Sequence, residues 1–233
     1  MSIYLWTEDK EGKSGFVFWK TFMNELFPKV IVESKNNNHG LLKAVKNIKL
    51  DDNFYFIAYD QSFDNNQVVR ETRKLMEYAQ GKTNVCILNI ISFEYLLLEF
   101  QRLVDWIFAE EDDFLYKRSH LLDARNALLL AIENSVDYKK IPIIATLFHD
   151  IGEYNVEQLV SKLLFLITRN TGFEVSKSNL GICWKCNCCG FSGRQLDDLC
   201  GLDEERIDLK EKMKQIFYHT RLHKELQTLI LEE

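Results

Sequence analysis

The chain has 233 residues, of which 46% are hydrophobic and 27% are charged, and its formal net charge is -6. This length fits one large domain or two small ones, and the apolar content is sufficient for a packed core. A net negative chain does not bind nucleic acid through its overall charge, although a local basic surface or a bound metal can still bring the two together.

No segment is expected to enter a membrane. No apolar run reaches the ~18 residues needed to span a bilayer, and the first residues lack the basic stretch and apolar stretch of a secretory signal. The sequence therefore predicts a cytoplasmic protein. Only two prolines are present and there is no low-complexity run, which argues against long disordered linkers.

The first part of the chain alternates between strand-like and helix-like segments. Strands are predicted at residues 2–7, 29–32, 54–59 and 85–91, and helices at 16–26, 41–48, 67–80 and 92–108. Because strands that alternate with helices form parallel sheets with right-handed crossovers, the sequence predicts a doubly wound α/β domain over residues 1–110.

The remaining residues, 111–233, have a different pattern. Helices are predicted at 121–136, 143–151, 156–168 and 204–231, the last with a break near Thr220. A cysteine-rich loop at 183–200 lies before the last helix. The sequence therefore predicts a helical C-terminal region after the α/β domain.

Acidic side chains follow three of the predicted strands. Glu8 and Glu11 come after the first strand, Asp60 and Asp64 after the third, and Glu94 after the fourth. The carboxyl ends of parallel strands meet at one edge of the sheet, where open α/β folds bind ligands. Crowded carboxylates repel one another unless a cation neutralises them, and their oxygens suit Mg²⁺. The alternative is that each is a helix cap or a solvated loop residue.

Three motifs resemble the TOPRIM domain. Glu8 together with Glu11-Gly12-Lys13-Ser14 resembles its glutamate motif, and Asp60-Gln61-Ser62-Phe63-Asp64 resembles its Asp-x-Asp motif. The segment Ile91-Ser92-Phe93-Glu94-Tyr95-Leu96-Leu97 is similar to a helix start in RloB-like TOPRIM proteins, a group associated with bacterial phage defence. The resemblance covers residues 1–110 and implies a TOPRIM-like sheet.

The resemblance also implies an activity. It indicates a nuclease dependent on Mg²⁺ or Mn²⁺ that cleaves DNA or RNA as an antiviral effector, working with an ATPase partner protein. A homo-oligomer is compatible with this expectation. By resemblance, Glu8 or Glu11 is expected to act as general acid/base or as a ligand, and Asp60 as the main metal ligand. Asp64 and Glu94 are expected to support the metal, and Lys13 to contact a phosphate.

One departure from the family pattern supports a different function. Ser62 stands where TOPRIM enzymes have the second aspartate of Asp-x-Asp. The chain could therefore be a catalytically inactive TOPRIM-like module that binds a partner protein or nucleic acid. A flavodoxin-like nucleotide-binding regulator is a weaker alternative, because the sequence has no glycine-rich phosphate loop.

Five of the six cysteines are clustered between residues 183 and 200. In a cytosolic protein such a cluster indicates a metal site or reduced thiols before disulfides. The predicted zinc ligands are Cys183, Cys186 or Cys188, Cys189 and Cys200, and a zinc ion there would be structural. The alternative is that the thiols pack a small core without metal.

Overall fold

A parallel sheet of four strands lies at the centre of the first half of the chain. The computed structural model describes residues 1–108, 112–186, 202 and 207–230. The strands are β1 (Ile3–Thr7), β2 (Val30–Ser34), β3 (Phe54–Ala58) and β4 (Val85–Ile87), in the order β2-β1-β3-β4. All three neighbouring pairs are parallel. The fold is therefore of the α/β class, as the sequence predicted.

Helices connect these strands and follow them. They are α1 (Ser14–Leu26), α2 (Asn38–Lys46), α3 (Asn66–Ala79), α4 (Phe93–Glu99) and α5 (Leu103–Phe108). Three of them begin at side-chain caps, in which an amide or hydroxyl oxygen accepts a hydrogen bond from a backbone N–H of the first turn. The caps are Asn37 for α2, Asn65 for α3 and Ser92 for α4.

The second half of the chain is mainly helical in its described residues. It contains α6 (Asp112–Glu133), α7 (Pro142–Leu147), α8 (Val156–Thr168), α9 (Leu209–His219), α10 (Leu222–Glu225) and α11 (Gln227–Ile230). A short antiparallel pair, β5 (Val175–Ser176) and β6 (Asn179–Leu180), follows α8. None of the helices in the part of the chain that the structure describes is long and apolar enough to cross a membrane.

The two faces of the sheet bury different helices. Successive side chains of a strand point to opposite faces, and Leu5 and Phe56 lie in an apolar core with α1, α4, α8 and α9. Tyr55 and Ile57 lie in a second core with α2 and α3. Because the first core also contains residues of the second half, such as Leu159, the two halves of the chain share one apolar layer.

The predicted helix at 92–108 is interrupted in the structure. Phe100 has an extended backbone, with φ -66° and ψ 105°, and divides the segment into α4 and α5. The Arg125 guanidinium of α6 donates to the carbonyl of Leu98 at 2.6 Å and to that of Phe100 at 3.3 Å. A buried partner from a distant helix therefore satisfies the carbonyls that the interruption leaves unpaired.

Other predicted boundaries also shift. The fourth strand ends at Ile87 and not at 91, because the backbone N–H of Asn89 turns to the Glu225 carboxylate at 2.7 Å. The helix predicted at 143–151 ends at Leu147 and is followed by a 3-10 turn at Ile151–Glu153. The predicted break near Thr220 is confirmed, while residues 204–206 and 231 lie outside the described residues.

Candidate active site

Glu8 and Asp60 meet at the point where the strand order reverses. The chain leaves β1 towards β2 on one side and returns to β3 on the other, so the crevice between β1 and β3 is the switch point where open α/β sheets bind ligands. Glu8 follows β1 directly, and Asp60 comes two residues after β3. The backbone N–H of Asp60 donates to Glu8 Oε1 at 3.2 Å.

Glu94 reaches the same crevice from the first turn of α4. Ser92 caps this helix by accepting from the Tyr95 N–H at 3.2 Å, which fixes the backbone on which Glu94 stands. The negative charge of Glu94 acts on the Asp60 carboxyl and helps to raise its pKa. The structure therefore brings together Glu8, Asp60 and Glu94, which lie far apart in the sequence.

Two further carboxylates, Asp9 and Glu157, belong to this group. The charges of both raise the pKa of Asp60. Asp9 Oδ2 accepts from the Thr7 hydroxyl at 3.2 Å and lies against Gly15, where an added Cβ would be 2.1 Å from it. Glu157 lies in the first turn of α8, in the second half of the chain. The acidic cluster consists of Glu8, Asp9, Asp60, Glu94 and Glu157.

Burial and mutual repulsion hold protons on this cluster. Burial first, and then the charge of Asp9, raise the pKa of Glu8 to about 8. Burial raises the pKa of Glu94 to about 7, against the effect of hydrogen bonds to its own backbone N–H and to Ser92. Burial also raises the pKa of Asp60 well above its ordinary value, and the neighbouring carboxylates add to the rise.

Among the residues that the structure describes, no cation forms an ion pair with the acidic cluster. Lys177 acts on Glu157 through its charge and lowers the pKa of that carboxyl, but burial outweighs this and the pKa of Glu157 is raised. Within the described residues, Glu8 Oε2 is buried and has no hydrogen-bond partner. A buried carboxylate oxygen without a partner costs free energy that a ligand can recover.

The chemistry of the cluster fits a hard divalent cation. Carboxylate oxygens are the ligands that Mg²⁺ and Mn²⁺ prefer, and the unpaired Glu8 Oε2 offers one of them. Among the described residues, no three His, Cys, Asp or Glu side chains are grouped so that they could already hold a metal ion. Binding of Mg²⁺ would therefore require the carboxylates of Glu8, Asp60 and Glu94 to move closer together.

Comparisons of the chain with protein-family models, with curated proteins and with solved structures found no match. A function for the chain is therefore inferred from its own residues. The residues that decide it are those of the acidic cluster and those around it.

Asp64 differs from the rest of the predicted acidic set. Its carboxylate accepts hydrogen bonds from Ser62, Tyr138 and the backbone N–H of Val156. Burial alone would raise its pKa, but these bonds and the charge of Lys139 lower the pKa below its ordinary value. Three hydrogen-bond donors and the nearby ammonium group of Lys139 surround this carboxylate, so its contacts favour a structural role over metal binding.

Glu11 and Lys13 lie outside the crevice. Both are exposed in the loop before α1. Lys13 Nζ donates to the hydroxyl of Ser178, in the turn between β5 and β6, at 3.2 Å. Lys177, which acts on Glu157, precedes this serine. Of the two glutamates that the sequence left open, Glu8 is the one that the structure places beside Asp60, and Lys13 lies on the rim of the site.

The structure describes only part of the predicted zinc site. Cys183 is buried, and its backbone N–H donates to the carbonyl of Gly172 at 2.9 Å. Cys186 is half-buried, and its thiol contacts the carbonyl of Ile182 at 3.4 Å. Cys189 and Cys200, like the alternative ligand Cys188, lie outside the described residues. Zinc binding here stays a prediction.

Two members of the acidic cluster were not predicted from the sequence. Asp9 is adjacent to Glu8 at the end of β1, so the strand-end rule that selected Glu8 could also have selected it. Glu157 gives no such signal, because an acidic residue in the first turn of a helix is favoured by the helix dipole wherever the helix lies. The packing of α8 against α4 and the bond from the Val156 N–H to Asp64 bring Glu157 to the sheet edge.

Proposed function

We propose that the chain is a metal-dependent nuclease that hydrolyses phosphodiester bonds in DNA or RNA. The observation that carries this proposal is the acidic cluster at the switch point, in which Glu8 Oε2 is buried and finds no hydrogen-bond partner among the described residues. A site built for stability would pair or neutralise these carboxylates. A site that binds a divalent cation needs them unpaired.

The proposed roles follow from position and pKa. Asp60 and Glu94 would hold Mg²⁺ or Mn²⁺, which when bound stabilises negative charge on the phosphate oxygens. With a pKa raised to about 8, Glu8 can exchange a proton near neutral pH. It would accept the proton of the attacking water while the new P–O bond forms and the P–O bond to the leaving oxygen breaks.

The substrate would approach from the exposed side of the crevice. Lys13 lies on this rim through its contact with Ser178, and its ammonium group can bind a backbone phosphate. The sequence motifs that resemble TOPRIM proteins support an antiviral role in the cytoplasm and control by an ATPase partner. The net charge of -6 fits such control, because free binding to nucleic acid would be weak.

A second candidate is a catalytically inactive TOPRIM-like module that binds a partner protein or nucleic acid. The observation that favours it is Ser62, which is buried and donates to Asp64 Oδ1 at 2.9 Å. Where TOPRIM enzymes have the second aspartate, the side chain of Ser62 therefore makes a hydrogen bond within the loop. In this case the acidic cluster would bind no catalytic metal.

The test compares cleavage of single-stranded and double-stranded DNA and RNA by the wild type with that by Glu8→Gln and Asp60→Asn, in Mg²⁺, Mn²⁺ or EDTA. Each substitution keeps the shape of the side chain and removes its charge. We expect cleavage that needs the metal and falls at least about 100-fold in each variant, the scale of losing a catalytic acid or base.

Glu11→Gln is the matched control, because Glu11 is exposed and lies in the same loop as Glu8. We expect its activity to stay close to that of the wild type. Equal cleavage by the wild type, Glu8→Gln and Asp60→Asn would reject the nuclease. Metal-independent binding of nucleic acid without cleavage would favour the inactive module.

A further inference from the structure

The carboxylate of Asp64 is surrounded by donors from three segments of the chain. Oδ1 accepts from the Ser62 hydroxyl at 2.9 Å and from the backbone N–H of Val156 at 3.0 Å. Oδ2 accepts from the Tyr138 hydroxyl and lies 3.6 Å from Lys139 Nζ. The Asp64 side chain is only 20% exposed. Three of its about four acceptor positions are therefore used by donors of the protein itself.

These donors connect the two halves of the chain. Ser62 belongs to the loop that carries Asp60, whereas Tyr138 stands in a 3-10 turn of the second half. Val156 is the first residue of α8, so the residue after it is Glu157 of the acidic cluster. Asp64 therefore joins the loop after β3 to the start of α8.

The same loop is fixed on its other side by Gln61. The backbone N–H of Gln61 donates to the carbonyl of Ile91 at 2.7 Å, and its side-chain amide donates to that of Leu88 at 2.9 Å. Asp60 is thus held between the segment after β4 and the start of α8. Loss of either anchor would let its carboxylate move relative to Glu8.

We propose that Asp64 is a positioning residue and not a metal ligand: it fixes the loop that carries Asp60 against the start of α8, with Tyr138 as its main side-chain partner. This inference rests on the proposed nuclease function for its catalytic consequence. A cation bound by Asp64 would have to displace the Tyr138 hydroxyl and approach Lys139, whose ammonium group repels it.

Substitutions at Asp64 and Tyr138 separate positioning from ligation. In Asp64→Asn the amide oxygen can still accept from Val156 and Ser62, and the NH₂ group can donate to the Tyr138 oxygen. Asp64→Ala removes every bond. If Asp64 positions Asp60, kcat falls about 10- to 100-fold in Asp64→Ala and in Tyr138→Phe. Asp64→Asn then retains most of the wild-type kcat. If Asp64 is a ligand, Asp64→Asn is as impaired as Asp64→Ala, and Tyr138→Phe resembles the wild type.

Hydrogen exchange of two backbone amides provides a readout that is independent of catalysis. The Val156 N–H donates to Asp64, and the Gln61 N–H reports the order of the loop next to Asp60. We expect both amides to exchange faster in Asp64→Ala and Tyr138→Phe, and to stay protected in Asp64→Asn. Unchanged protection of both amides in Asp64→Ala and Tyr138→Phe would overturn the proposal.

Tyr154→Phe is the matched control for Tyr138→Phe. The Tyr154 hydroxyl contacts Lys162 Nζ at 2.8 Å and makes no hydrogen bond to Asp64. Loss of the Tyr154 hydroxyl should leave the Val156 and Gln61 amides protected and kcat close to that of the wild type. Calorimetric titration with Mn²⁺ completes the test, since loss of Mn²⁺ binding in Asp64→Asn would also overturn the proposal. A wild type that neither binds Mn²⁺ nor cleaves would reject the nuclease, while the exchange data would still decide whether Asp64 orders the loop.

Discussion

Helix α4 carries two carboxylates whose surroundings contrast. Glu99, at its end, is fully paired: Arg221 donates to it through Nε and the backbone N–H, and Arg221 Nη2 lies 2.9 Å from Glu99 Oε2. The same guanidinium donates to the Tyr95 hydroxyl at 3.0 Å. Glu94, at the start of the helix, lies among other carboxylates and has no ion-pair partner within the described residues.

The difference between these two regions indicates what each does. The Glu99 pair attaches the start of α10 to α4. In the described part of the chain the carboxylates of the acidic cluster form no ion pair, and they raise one another's pKa. This contrast between a paired carboxylate at the end of the helix and an acidic cluster at its first turn supports the proposal that Glu94 binds a ligand.

The largest effect on stability is expected at the paired region. Arg221→Ala should lower the free energy of unfolding by about 2–3 kcal/mol, because it leaves Glu99 half-buried without its counter-charge. Urea unfolding followed by circular dichroism measures this. The control is Lys140→Ala, which breaks an exposed pair with Asp137 and should cost less than about 0.5 kcal/mol. If Arg221→Ala lowered the free energy of unfolding by less than about 0.5 kcal/mol, the two regions would no longer differ.

The opposite sign is expected in the acidic cluster. Asp60→Asn should raise the free energy of unfolding of the metal-free protein by about 1 kcal/mol near neutral pH, because folding of the wild type must either bury a repelled charge at Asp60 or take up a proton there, and the amide requires neither. The same unfolding experiment in EDTA measures it, and added Mg²⁺ should stabilise the wild type but not this variant. A destabilised Asp60→Asn would show that the charge of Asp60 is compensated in the folded protein.

The pH dependence of stability gives the most specific effect. The pKa of Glu8 is raised from 4.5 to about 8, so between these values the folded state holds more protons than the unfolded state. The contribution of Glu8 to stability must therefore fall as pH rises through this window. We expect the Tm of the metal-free wild type to decrease between about pH 5 and pH 8.

Glu8→Gln, which cannot titrate, should reduce this slope, and differential scanning fluorimetry in a pH series measures it. Saturating Mg²⁺ should flatten the wild-type curve, because a bound cation replaces the protons. A Tm that increases with pH over the same window would mean that the carboxylates are stabilised in their charged form without metal.

The sheet and the centre of the site could be predicted from sequence because both depend on local patterns. Short apolar runs that alternate with amphipathic segments predict parallel strands, and the strand-end rule then places Glu8, Asp60 and Glu94 at one edge. The rule also explains why Glu11, three residues farther from the strand than Glu8, lies in the solvent-exposed part of the loop.

The rest depends on contacts between distant segments, which leave no local signal. Glu157 reaches the cluster only through the docking of α8, and the interruption at Phe100 depends on Arg125. Asp64 illustrates the same limit. The resemblance implied a supporting metal role for it, and nothing in the sequence around it indicated that Tyr138 and Val156 of the second half would donate to it.

Gly15 sets a limit on how the negative charges can be arranged. A Cβ at this position would be 2.1 Å from Asp9 Oδ2, so any larger residue must drive that carboxylate out of its place beside the helix. A natural substitution at Gly15 could therefore alter the charge density of the crevice, although glycine itself has no functional group in its side chain. A comparison of natural variants that looked only at acidic positions would overlook this constraint.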